Sequence, residues 1–205
     1  MSKNPTLSVI MRRALPVCAV AVAALGSSAA FAKHINTLGA WDGSSYVQPF
    51  GCPDTTTYGQ VITVPKGETT LDKFTFEWIN LDTGSMVVRG EVYAWNGTMA
   101  TGSAVWESKP KTFSFSDNVF HKITFKPGAV PVTAGQQYVV FASIDKDYEK
   151  CTNNYEFGWG FIPTGPYTGG DFVYQNNEGN EGNWTTVPWS VFTGSDLAMK
   201  MEFGP

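Results

Sequence analysis

The densest concentration of chemistry-bearing side chains lies between residues 155 and 192. Tyr155, Phe157, Trp159, Phe161, Tyr167, Phe172, Tyr174, Trp184, Trp189 and Phe192 place ten aromatic rings there. Tyr155, Phe157, Trp159 and Phe161 alternate with period two, the spacing of a strand that points its rings into a core. Tyr167, Trp184 and Trp189 sit among Gly, Asn, Thr and Pro, where loops are expected. A flat ring with a polar handle, held at a surface by rigid strands, can stack on the C–H face of a sugar while neighbouring amides and carboxylates bind its hydroxyls. Asn176, Asn177, Glu178, Asn180, Glu181 and Asn183 supply such partners. Trp159, Tyr167, Tyr174, Trp184 and Trp189 therefore form a candidate binding set for an extracellular polysaccharide. The competing expectation is that Trp184 and Trp189 fold back to cover one end of the molecule.

A second cluster is Asp145-Lys146-Asp147-Tyr148-Glu149. If the strand before it continues, Asp145, Asp147 and Glu149 point the same way. Three hard oxygen ligands so placed could hold calcium. They also resemble the alternating acidic strand of retaining glycoside hydrolases with a sandwich fold, where nucleophile and acid stand about 5 Å apart, although that pattern has Glu where this chain has Asp145. The bland alternative is a solvated acidic turn. The histidines add little: His34 lies near the start of the expected mature chain, where mobility is expected. His121 alternates with Val119, Ile123 and Phe125, placing it at a sheet edge or in the core. No G-x-S-x-G or H-E-x-x-H pattern occurs.

These residues need a scaffold, and the composition says which kind. After residue 32 the chain has four Leu against 21 Val and Ile, with 20 Gly and ten Pro. That balance excludes a helical bundle and predicts short strands joined by turns. Period-two alternation begins near residue 57, as in Lys73-Phe74-Thr75-Phe76-Glu77-Trp78 and Leu197 to Phe203, while Tyr138 to Ala142 is apolar on both faces, as in a central strand. Nine or ten strands are predicted, near 58–64, 70–80, 85–96, 103–107, 111–116, 119–125, 136–145, 155–161, 171–175 and 196–203. The expected fold is all-β: a two-sheet antiparallel sandwich, jelly-roll-like, forming a single domain over 33–205.

Residues 1–32 read as a signal peptide, with Arg12-Arg13, an apolar run from Ala14 to Leu25, and Ala30-Phe31-Ala32 before the cut. The apolar run is too short to span a bilayer. The expected product is secreted, periplasmic or extracellular, with no membrane insertion after cleavage. It would carry Cys52 and Cys151 as a disulfide. Its 18 acidic residues outweigh 11 basic ones, and an acidic surface repels a phosphate backbone, so nucleic acid is not an expected partner.

Gly59-Gln60-Val61-Ile62-Thr63-Val64-Pro65, Leu71 to Phe76, Val92-Tyr93-Ala94-Trp95-Asn96-Gly97, Val132 to Val139 and Gly169-Gly170-Asp171-Phe172-Val173-Tyr174 together resemble uncharacterised exported bacterial β-sandwich proteins, many of which carry a PEP-CTERM sorting tail. That tail is not found here. The resemblance implies a fold and an exported location, and carries no catalytic residues. The leading expectation is thus a secreted, non-catalytic module that binds a polysaccharide through loop aromatics and needs no cofactor, calcium aside. The alternatives are a structural or surface protein with a protein partner, and a glycoside hydrolase using 145–149.

Overall fold

Alternating side-chain polarity is realised as strands along most of the chain. The computed structural model describes residues 33–52, 55–82, 84–115, 117–151 and 156–205; the expected signal peptide and Tyr155 lie outside these. In chain order the strands are β1 (His34–Asn36), β2 (Tyr46–Gly51), β3 (Thr57–Thr63), β4 (Thr70–Asn80), β5 (Met86–Trp95), β6 (Ala100–Glu107), β7 (Lys111–Phe113) and β8 (His121–Phe125). There follow β9 (Val130–Pro131), β10 (Gln137–Ser143), β11 (Glu156–Ile162), β12 (Phe172–Gln175), β13 (Ser190–Phe192), β14 (Asp196–Leu197) and β15 (Met199–Gly204). Two short 3-10 helices, Asp145–Lys150 and Glu181–Thr185, interrupt them.

The strands form two antiparallel sheets. The first has eight strands built around β4, with β15 and β11 on one side of it and β8 and β9 on the other. The second has seven, in the order β13-β12-β3-β10-β5-β6, with β7 also on β5. The expected sandwich is present. The strand count is higher than the sequence predicts because β1, β2, β9, β13 and β14 are pieces of two to six residues. Such pieces are too short for alternation to register, and β2 carries Pro49, which is tolerated because β2 pairs only with β11. His34, expected to be mobile, is held in β1 opposite Glu202.

Between the sheets lies an aromatic core. Phe74, Phe76 and Trp78 of β4 point inward and are buried, as their alternation requires. Trp159 stands at its centre, 4.6 Å from Trp78, 4.9 Å from Phe76 and 5.0 Å from Phe50 between ring centroids. Gly90 of β5 makes the sheets' approach feasible on one flank: a Cβ there would lie 2.4 Å from the Phe125 ring. Cys52, just after β2, is bonded to Cys151, just after the 145–150 helix, with Cα atoms 5.9 Å apart. The bridge ties the first sheet to the connection leaving β10 of the second.

The outer face of the second sheet carries a further apolar layer. Tyr93, Val139, Phe141, Val61 and Val173 point outward from their strands and are covered by the segment 176–189. Trp184 packs 4.9 Å from Phe141, and Trp189 packs 5.2 Å from Phe141 and 5.7 Å from Trp95. At the far edge of this sheet, β13 leaves Val191 and Phe192 exposed.

Candidate functional site

The aromatic set expected to face a ligand is distributed differently by the structure. Trp159, Trp184 and Trp189 are buried, so none offers a ring face to a sugar. The reason for the last two is the outward apolar face of β10 and β5, which needs a cover. The cover is pinned by polar contacts. Trp184 Nε1 donates to Asp145 Oδ2 at 2.9 Å, Trp189 Nε1 donates to the Trp184 carbonyl at 2.9 Å, and Gln175 Nε2 donates to the Asn183 and Val187 carbonyls. The fold-back reading of these two tryptophans was the better one, although they cover a sheet face and not an end.

Tyr167 and Tyr174 are half-buried. The Tyr167 hydroxyl accepts from the Thr63 amide at 2.7 Å, and its own amide donates to Asp196 Oδ2 at 2.8 Å, so it staples the 163–171 loop to β3. Tyr174 stacks on Phe172 and lies 5.5 Å from Phe192. The five residues do not assemble into one surface.

Nor do the three carboxylates converge. The strand ends at Ser143 and the chain turns into the 145–150 helix, which destroys the alternation the calcium and hydrolase readings needed. Asp145 accepts from Thr57 Oγ1, Trp184 Nε1 and the Gly179 amide. Asp147 binds Arg89 Nε at 2.8 Å and also pairs with Lys150. Burial works to raise the Asp147 pKa, but hydrogen bonds from Arg89 and Lys150 hold it below the usual carboxylate value. Glu149 is exposed. Among the described residues, no three His, Cys, Asp or Glu side chains are grouped so as to hold a metal ion.

A different pair of carboxylates does meet. Glu91 of β5 and Glu107 of β6 stand directly opposite each other in the ladder. Lys146 Nζ lies 2.6 Å from Glu107, 3.4 Å from Glu91 and 3.8 Å from Glu181, and 5.4 Å from the Trp184 ring centroid. Arg89 Nη1 binds Glu107 at 2.6 Å. Glu91 is fully buried and neither of its oxygens has a hydrogen-bond partner. Burial pushes its pKa up to about 8, against the opposing pull of Lys146. Glu107 goes the other way: burial raises it, but Lys146 and Arg89 together hold it below its ordinary value. The pair is thus pushed in opposite directions, Glu91 toward the protonated form and Glu107 toward the ionised one. Its buried member cannot touch a substrate, so the cluster is a structural pin joining β5, β6 and both helices.

The open site lies along the flank where the two sheets end. Strands β6 and β7 close one sheet, β8 closes the other, and each pairs on one side only. Between them runs a groove of about 730 Å³, within the ordinary range for ligand sites. Trp106, half-buried and edge-on to Phe74, and Phe113 and Phe125 form its apolar wall. Lys109, Lys111, Lys122 and Lys126 line its rim, all exposed. Lys111 Nζ lies 5.5 Å over the Phe125 ring, a cation–π placement. Glu107 also reaches the groove, with its charge already answered by Arg89 and Lys146.

Sequence reasoning missed this groove because its residues are scattered over three edge strands, β6 and β7 of one sheet and β8 of the other. One signal was present: from residue 108 to 144 the chain has four lysines and a single acid, Asp117. Even that acid is bound to His121 Nε2 at 2.9 Å.

No protein-family model matches the chain, and no curated protein matches it. A solved structure of the cysteine protease and lectin-like domains of Cwp84, a surface-layer-associated protein of Clostridium difficile, is similar over 73% of this chain, with 12% identity and a TM-score of 0.45. The match spans 32% of that chain, about a third of its length. Among the described residues, no helix is long and apolar enough to cross a membrane.

Proposed function

We propose that this protein is an exported, non-catalytic β-sandwich that binds a polysaccharide in the groove between β6–β7 and β8. The observation that carries the reading is the groove itself: a trough of about 730 Å³ with Trp106 and Phe113 half-buried in its wall and polar side chains on its rim. Rings in the wall supply stacking surface and the rim supplies hydrogen-bond donors, the division of labour a sugar chain requires. The rigid edges of two packed sheets hold both in place, so little ordering is left to be done on binding. The Cys52–Cys151 bridge supports an oxidising location outside the cytoplasm.

The test is retention on a panel of immobilised glycans by wild type and Trp106→Ala. The expected result is retention by wild type on at least one glycan and its loss in the variant, with circular dichroism confirming that the variant keeps its fold despite losing the contact with Phe74. If no glycan retains the wild type, or if Trp106→Ala binds as well as wild type, the reading fails.

A further inference from the structure

From the charges on the groove we infer that its ligand is an acidic polysaccharide, one bearing carboxylate groups at regular intervals; this rests on the groove being the glycan site. Four lysines stand on its rim. Lys122 faces Glu77 across the β4–β8 ladder and opposes the upward push of burial on that carboxyl's pKa, whereas Lys109, Lys111 and Lys126 have no ion-pair partner among the described residues. Elsewhere among the described residues five of the seven lysine and arginine side chains are paired, Lys73 and Lys200 with Glu202, Lys150 and Arg89 with Asp147, and Lys146 with Glu107; Lys33 and Lys66 are the other two. The chain as a whole is acidic, with net charge −4 at pH 7. A local excess of unanswered positive charge in such a chain is a field directed at an anion.

The arrangement also narrows the kind of anion. Lys122 and Lys126 lie on the β8 wall, one within the strand and one just after it, four residues apart; Lys109 and Lys111 lie on the opposite wall. At about 3.3 Å per residue the β8 pair is about 13 Å apart along the strand. Charges so distributed along both sides of a trough suit a linear polymer with repeated charges. A single phosphate would need them focused at one point. A bilayer needs a flat or protruding basic face, and a nucleic acid duplex must approach past the acidic remainder of the surface. Lysine, a hydrated point charge on a flexible stem, matches carboxylates spaced along a chain without demanding bidentate geometry. Glu107, the acid that reaches the groove, is neutralised by Arg89 and Lys146 and does not oppose the ligand.

The experiment measures binding of the full chain to polygalacturonate, a polyuronate, and to neutral dextran, double-stranded DNA and anionic phospholipid vesicles, at 20 and 200 mM salt by titration calorimetry. Wild type is compared with Lys111→Ala/Lys122→Ala/Lys126→Ala, whose sites are exposed, and circular dichroism confirms its fold. The expected result is preference for the polyuronate, weakening with salt, and a loss of roughly tenfold or more in the triple variant. Binding to dextran that is as tight, indifferent to salt and unaffected by the lysines would overturn this inference while leaving a neutral-glycan groove standing. DNA or vesicles binding as tightly as the polyuronate would overturn it also, because the rim would then be reading charge alone. Binding to no glycan would remove both the inference and the function it rests on.

Discussion

Glu91 offers the sharpest test of how this structure distributes charge. It is fully buried, its oxygens have no hydrogen-bond partner, and the nearest cation, Lys146, stands closer to Glu107 than to it. Its pKa is therefore pushed from the ordinary 4.5 up to about 8. A carboxyl whose folded pKa exceeds its unfolded one adds stability that is fully present below about pH 4.5 and is lost as the pH rises through about 8. At about 1.4 kcal/mol for each tenfold change in proton affinity, the ceiling on that loss is about 4 to 5 kcal/mol. Lys146 can turn toward the newly formed carboxylate and water can reach it, so a loss of roughly 2 kcal/mol is expected. For a domain of this size that is a fall of about 5 °C in thermal midpoint.

The measurement is the urea midpoint of wild type and Glu91→Gln between pH 5.5 and 9. Groups held below the ordinary range, Glu107 and Asp147, act only at lower pH, and Tyr93, raised by burial, acts above 10. Glu77 and Asp196 are also raised by burial, but their contribution cancels in the difference between the two proteins. The amide places an N–H₂ group near Lys146, so the variant starts about 1 kcal/mol lower at pH 5.5. It should then hold that value to pH 9 while wild type declines. Parallel declines, or a flat wild-type curve, would mean that Glu91 is ionised throughout and that the pairing with Lys146 outweighs its burial.

Two further outcomes follow from the packing. Cys52→Ser opens a loop whose ends are 99 residues apart, so it should cost up to about 4 to 5 kcal/mol, with reductant acting on wild type in the same direction and leaving the variant unchanged. Trp184→Ala removes a fully buried ring and one of the donors to Asp145; about 3 to 5 kcal/mol should be lost in urea unfolding, and a loss under 1 kcal/mol would show that segment 176–189 is not core.

The inner faces of the sandwich were legible in the sequence because alternation over five or more residues encodes which face is buried. Phe74, Phe76 and Trp78 and Leu197, Met199, Met201 and Phe203 turn inward as their pattern demands, although Thr75 and Glu77 on the other face of β4 are buried as well, and the Cys52–Cys151 bridge followed from two cysteines in a chain expected to be exported. The outer layer was harder. Trp184 and Trp189 sit among Gly, Asn and Thr, and what buries them is the outward apolar face of Val139 and Phe141, residues 40 or more positions away. Local composition cannot report a partner that distant. The acidic run does turn, as its bland reading had it, but it is not solvated: Asp145 and Asp147 are buried, because Asp145 is taken by Trp184 and Thr57 and Asp147 by Arg89, partners far away in sequence. The groove was least legible, because Trp106 and the lysines reach one trough only through the pairing of β6 and β7 with β5 and of β8 with β4.

That same pairing decides between two roles for the four lysines. Charged residues on an edge strand prevent unwanted pairing with other chains, and Lys111 and Lys122 stand on edges. Edge protection alone requires only that each strand carry a charge. It does not require the two edges to stand apart around a trough of about 730 Å³ that leaves Trp106 half-exposed, since closing the flank would bury that ring at a gain of about 25 cal/mol for each Å² covered. The unprotected edge supplies the contrast: β13 carries no lysine and leaves Val191 and Phe192 exposed. Lysines are thus gathered at the flank that has a groove and missing from β13, a distribution that favours the proposed ligand-binding role over edge protection alone.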